Sequence, residues 1–170
     1  RAAAILPALG WIRFHVDRNL RAALWAFSVS AHLPHDPWTS RARCQFALSR
    51  RRFGEAIDML RAAIHSDPYA PWLQARLAWA LHLAGQTSQS VDQIKSALRQ
   101  FPDHDGTSIY GTLILASSAD AAQALQLAES LAQRALHYDL ANTMHAYALA
   151  SLGRRDEAHA IVERLQWLGR

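Results

Sequence analysis

The sequence predicts an all-α protein, a right-handed α-solenoid of antiparallel helix pairs, and three observations carry that prediction. Of 170 residues 51% are apolar and 33 are Ala, so the interior must be built largely from small side chains that let helices approach closely. Gly (7) and Pro (6) together number only 13, too few for the turns of an all-β sandwich. Two prolines, in Asp67-Pro68 and Phe101-Pro102, lie 34 residues apart, the period of a repeating helix-turn-helix unit.

Laid on that period from residue 37, the chain divides without insertion into units 37–70, 71–104, 105–138 and 139–170. The eighth position then reads Cys44, Ala78, Thr112 and Ala146, and the twentieth reads Ala56, Ser90, Ala124 and Ala158. All are small, which is what two antiparallel helices need where they cross at about 8–10 Å. The eleventh position holds Ala47, Leu81, Leu115 and Leu149, and the twenty-fourth holds Leu60, Ile94, Ala128 and Val162, all apolar. Extended backwards, the same frame puts Gly10, Ala22 and Pro34 at positions eight, twenty and thirty-two of a fifth unit over residues 3–36.

Each element follows from this register. A first helix over 4–15 places Pro7 in its opening turn, where proline is tolerated. The run Asp17 to Leu24 reads as a turn leading into an amphipathic helix over 20–32, and the two prolines in His32–Pro37 make a loop. Helices over 38–50 and 53–66 flank Arg50, Arg51 and Arg52, cations that suit the end of a helix. Gly85 separates helices over 71–84 and 87–100, and Pro102 closes that unit. Helices over 106–117 and 121–136 flank Ser117 to Asp120, with Asp120 placed to cap the second of them. Gly153 divides the last pair, over 140–152 and 155–168. Each helix is near the lower limit of independent stability, so stacking must supply most of the stabilisation.

These positions resemble the tetratricopeptide repeat: small residues at eight and twenty, Gly at fifteen (Gly85, Gly153) and Pro at thirty-two (Pro68, Pro102). The chain departs from the pattern at Arg51 and Ala119, which replace the turn glycine, and at Leu136, which replaces a closing proline. The expected organisation is a degenerate N-terminal repeat over 1–36 and an array of four repeats over 37–170, in one continuous solenoid.

The resemblance implies a concave groove lined by the first helix of each pair, at positions two, five, nine, twelve and thirteen. These carry Trp11, Phe14 and His15, then Trp38, Arg41, Gln45 and Ser49, then Trp72, Ala75, Trp79 and His82. Ile109, Leu113 and Ser117 follow, and then Leu140, Thr143, Tyr147 and Ser151. The candidate partner-binding residues are Trp38, Arg41, Gln45, Trp72, Trp79, His82, Leu113 and Tyr147. The Lys, Arg and Asn set with which family members grip a terminal carboxylate is missing, Arg41 apart, so the groove suits an apolar helix or an extended segment held by aromatic anchors. The competing reading has the tryptophans packing against neighbouring helices.

Other chemistries are set aside. The balance of 18 basic to 14 acidic residues is a weak argument for a polyanion partner, although Arg50–Arg52 with Arg41 and Arg43 form one cluster suited to phosphate or acidic groups. A single cysteine, Cys44, makes no internal disulfide and falls in a small-residue column, where packing explains it. His32 and His35 lack a partner pair at ligand spacing, and His137, His145 and His159 lie on different helices, so no metal or cofactor is expected. Asp103, Asp105, Asp156 and Glu157 sit at inter-helix turns, where they charge helix N-termini. No phosphate loop, nucleophile elbow or zinc-protease motif is present, and no catalytic residue is assigned.

The runs Asp67-Pro68-Tyr69-Ala70-Pro71-Trp72, Ala78 to Gly85, Phe101-Pro102-Asp103-His104 and Glu163 to Leu168 add a second resemblance, to the C-terminal region of bacterial winged-helix regulators with an OmpR-type DNA-binding domain. It implies a cytoplasmic, non-catalytic domain that receives a protein segment or a small effector, with no direct DNA binding and no membrane contact of its own. The start at Arg1 without Met, and an uncapped last helix bearing Leu165, Trp167 and Leu168, suggest a piece of a longer chain or a homodimer through that helix. A free-standing scaffold or chaperone is the alternative, and a cryptic enzyme the third.

Overall fold

The computed structural model describes residues 2–30, 37–134 and 139–168. Ten helices run through them: α1 (Ala2–His15), α2 (Leu20–Ser30), α3 (Pro37–Ser49), α4 (Phe53–Ser66), α5 (Pro71–Leu83), α6 (Thr87–Gln100), α7 (Asp105–Ala116), α8 (Ala121–Arg134), α9 (Asp139–Ser151) and α10 (Arg155–Leu168). Among the described residues there is no strand. Two compact units divide the chain, Arg1–Asp67 and Pro68–Arg170.

The helices fall where the 34-residue register puts them, within two residues at every described end. The one shift of consequence is at Pro7. Because α1 begins at Ala2, the proline is its sixth residue and removes an internal hydrogen bond instead of occupying the first turn. Residues 31–36, with most of the expected His32–Pro37 loop, and 135–138, with Leu136 and His137, lie outside the described residues.

Three of the four turns within units 37–170 close in the same way. The residue after the left-handed one donates its N–H five residues back, Arg52 to the Ala47 carbonyl at 2.9 Å, Gln86 to Leu81 at 2.9 Å and Arg154 to Leu149 at 3.0 Å. This is the bond that satisfies a terminal helix carbonyl when one residue adopts positive φ. Gly85 and Gly153 supply that residue at φ 77° each, and Arg51 supplies it at 59°. The arginine thus takes the conformation of the expected glycine and carries the strain of a Cβ in the left-handed region. Arg51→Gly should therefore raise stability by about 0.5–1 kcal/mol, the relief of strain exceeding the added entropy of the unfolded chain. A thermal melt checks it; a lower melting temperature would count against the shared turn.

The third turn, Ser117 to Asp120, is one residue longer and has no such glycine. Ser118 holds it, donating its hydroxyl to the Leu115 carbonyl at 2.8 Å and accepting the Asp120 N–H at 3.2 Å. Asp120 precedes α8 as expected, and its carboxylate accepts from Lys95 Nζ of α6 at 2.8 Å. At the last turn Arg154 hydrogen-bonds Glu157 at 2.6 Å, which holds the Glu157 carboxyl below the usual carboxylate range. A depressed carboxyl contributes stability above its ordinary titration range and loses it as pH falls.

The small columns meet as predicted. Cys44, Ala78, Thr112 and Ala146 are at most 6% exposed, and Ala56, Ser90, Ala124 and Ala158 at most 7%. Ser90 donates its hydroxyl to the Ala78 carbonyl at 2.8 Å, so the polar member of its column is satisfied at the crossing itself. Gly10 serves the same role in the first pair, where a Cβ would come 3.0 Å from the Phe27 ring. Of the larger columns, Val162 is the exception at 39% exposure. The helices that carry Ile94 and Ala128, α6 and α8, also pack on the first helix of the next repeat, whereas α10 packs chiefly on α9.

Within Pro68–Arg170 the first helices α5, α7 and α9 pack side by side, and α7 also touches α6 and α8. Hence α5 buries residues nearly all round, Leu73, Ala75, Leu77, Ala78, Ala80 and Leu81 among them, while α6 buries a single stripe of Ser90, Ile94 and Ala97. Within Arg1–Asp67, α1 packs on α2 and α3, and α3 on α4.

Candidate functional site

The side-by-side first helices of Pro68–Arg170 present the predicted groove positions. On α5, Trp72, Trp79 and His82 are half-buried, but Ala75 is wholly buried in the core with Ala78, Ile94 and Leu115, so it does not line a groove. Its position faces inward because α5 packs against both α6 and α7. On α7, Ile109 and Leu113 are half-buried against the cluster of Leu125, Ala128 and Met144, and Ser117 is exposed. On α9, Leu140 (38%) and Tyr147 (41%) are exposed apolar groups, with Thr143 and Ser151 exposed beside them.

The structure brings Trp79 and His82 together. Their rings stack with centroids 5.3 Å apart and 19° between planes, as a spacing of three on a helix allows. Tyr110, which sequence reasoning missed, joins from α7 with its ring 5.7 Å from that of Trp79. Trp79 and Tyr110 also pack against the core cluster, and Trp79 stays half-buried there. The His82 Nδ1 atom is buried without a hydrogen-bond partner, the sole such side-chain atom among the described residues. His82 on α5 and Tyr147 on α9 lie on the two helices that flank α7.

The hydroxyls on this face are turned to their own helices. Ser117 donates to Leu113 and Ile114, Thr143 to Asp139 at 2.8 Å, and Ser151 to Ala148 at 2.7 Å. The rest of this face is apolar and aromatic, half-buried on α5 and α7 and exposed on α9. Of the predicted residues in Arg1–Asp67, Gln45 is half-buried on α3, whereas the side chains of Trp38 and Arg41, like those of Trp11, Phe14 and His15, lie outside the described set.

The other polar candidates serve as helix furniture. Cys44 is buried at 1% exposure in its small column. His104 caps α7, its Nδ1 accepting the Thr107 N–H at 3.1 Å. His145 lies 3.9 Å from Glu129 and His159 3.3 Å from Glu163, two separate pairs. Asp105 and the Asp156–Glu157 pair occupy first turns, of α7 and α10, as expected of charges at helix N-termini.

Residues 47–109 match the family model described as Tetratricopeptide repeat. The fold is that of tetratricopeptide-repeat proteins. The crystal structure of TTC0263, a thermophilic protein of this kind from Thermus thermophilus, superposes with a TM-score of 0.80 at 19% identity, over 96% of this chain and 89% of that one. A tetratricopeptide-repeat protein from Parabacteroides merdae gives 0.67 at 15% identity, over 99% of this chain and 68% of that one. MamA from Desulfovibrio magneticus, from residue 41 to its end, gives 0.67 at 10% identity, over 99% and 96%. At these identities the likeness is one of fold. No curated protein matches the chain. Among the described residues no helix is long and apolar enough to cross a membrane.

Proposed function

We propose that this chain is a non-catalytic interaction domain whose α5, α7 and α9 face receives a segment of a partner protein. The observation that supports the reading is the exposed apolar run on α9, Leu140 and Tyr147, continuing into half-buried Leu113, Trp79 and Trp72 on α7 and α5. Aromatic groups with such partial exposure are the usual anchors of an interface. In this reading the domain is the partner- or effector-sensing part of a transcriptional regulator of the OmpR-type winged-helix kind, supported by the resemblance of Asp67 to Trp72, Ala78 to Gly85 and Glu163 to Leu168.

The test separates binding from packing. Leu140→Ser with Tyr147→Ser alters only exposed groups and should abolish capture of the protein partner while leaving the thermal melt within about 1 kcal/mol of the parent. Trp79→Ala should weaken capture and also destabilise the fold, because its ring packs on Tyr110 and the core. Full capture by the folded Leu140/Tyr147 variant sinks the proposal. A second reading, a free-standing scaffold, is favoured by one observation: the fold here spans 89% of TTC0263, so an array of this length makes up nearly the whole of another chain. A winged-helix pattern encoded before Arg1 decides between the two.

A further inference from the structure

Between α2, α3 and α4, within the unit Arg1–Asp67, the structure holds an open cleft of about 140 Å³, lined by residues none of which belongs to α5, α7 or α9. Its floor is apolar: Leu24, Phe27, Phe46 and Met59 line it, and the rings of Phe27 and Phe46 lie 4.6 Å apart. Exposed Arg50 and Arg52 also line it, and Arg52 pairs with Glu55 at 3.3 Å, so among the described residues Arg50 gives the lining its cationic side. Exposed Arg51 stands next in sequence. On the cleft's α2 edge, Trp25 is 58% exposed and Val29 38%, one helical turn apart and beside Leu24 and Ser28 of the lining.

We propose that this cleft is a docking site for an acidic peptide segment carrying one large apolar side chain. Size selects the side chain: a cavity of roughly 150 Å³ lined by Leu, Ile and Phe accepts a benzene ring, so this volume suits one phenyl- or leucyl-sized group. The floor's chemistry argues against a nucleobase. Ser28 is the one hydroxyl among the described lining residues and already donates to the Trp25 carbonyl at 2.8 Å, so base-edge donors and acceptors there would lose water without replacement. The rim selects carboxylates on either side of that group, since arginine pairs with carboxylate by two parallel hydrogen bonds. The Arg50–Arg52 run that the sequence shows as one basic cluster is thereby joined to an apolar cavity, which its linear pattern does not reveal.

A fluorescein-labelled peptide Asp-Glu-Phe-Glu-Asp, titrated by anisotropy into the full chain, tests it. Saturable binding is expected, weakened about tenfold or more by Arg50→Glu, by Ser28→Phe, which fills the cleft from an exposed position, and by Ala in place of the peptide's Phe. Leu140→Ser with Tyr147→Ser should leave this binding unchanged. No saturable binding, or parental affinity in folded Arg50→Glu and Ser28→Phe chains, overturns the proposal. So does loss of binding in the Leu140/Tyr147 variant alone, which would assign the peptide to the other face and leave the reading of that face intact. A DNA duplex of equal charge that displaces the peptide more tightly than unlabelled peptide does would assign the cleft to a polyanion and also overturn it.

Discussion

Leu115→Ala is expected to lower stability by about 2–5 kcal/mol, the range for truncating a fully buried leucine where the surroundings close only partly. Leu115 is 0% exposed and shares its cluster with Ile94, Ile114 and Ala124. Its helix is held by α5, α6, α8 and α9, so backbone movement to fill the void is opposed from four sides. For a chain of this length the loss corresponds to a fall of about 5–15 °C in melting temperature. Circular dichroism at 222 nm reads it directly. A fall of less than about 2 °C would mean that the site collapses freely and that α7 is not the centre of its unit.

Ala124→Leu approaches the same core from the opposite direction, and should cost about 1–3 kcal/mol by overpacking. Ala124 is 0% exposed, at the crossing of α8 with α7, where its counterpart Thr112 is also 0% exposed. Added methylene groups there must push the two helices apart or force strained rotamers. Ala122→Leu, on the exposed side of the same helix, is the control and should shift the melt by no more than about 0.5 kcal/mol. Equal melts for the two variants would show that the 34-residue register had been placed on the wrong face.

Much of the fold was legible because each steric requirement is stated several times over in one chain. Positions eight and twenty repeat the demand of a close helix crossing, and all eight residues there are buried. What was not legible depends on context that the register does not encode. Arg51 occupies a glycine's conformation, which the three residues of turn and the bond from Arg52 to Ala47 enforce against its own preference. Val162 keeps the residue type of its column but is exposed, since exposure is set by what packs next to it. For the groove, position in the repeat located Tyr147 and Leu140 at the surface, yet it placed buried Ala75 there too. The packing of Trp79 involves Tyr110, a residue on the neighbouring first helix that the repeat register does not single out. The α2, α3 and α4 cleft was invisible for the same reason. Phe27 and Phe46 meet across 19 positions, and nothing periodic links them to Arg50.

The unequal enclosure of the helices has a consequence for how the molecule comes apart. An α7 hemmed in by four others cannot open without disturbing them all, whereas α10 leans chiefly on α9 and can peel away at small expense. Amide protons along α7 should therefore exchange with deuterated solvent only when the whole unit melts, and those along α10 far sooner, by local fraying. Opening would then spread from α10 to α9, and exposed Tyr147 of α9 would lose its support before α7 opens.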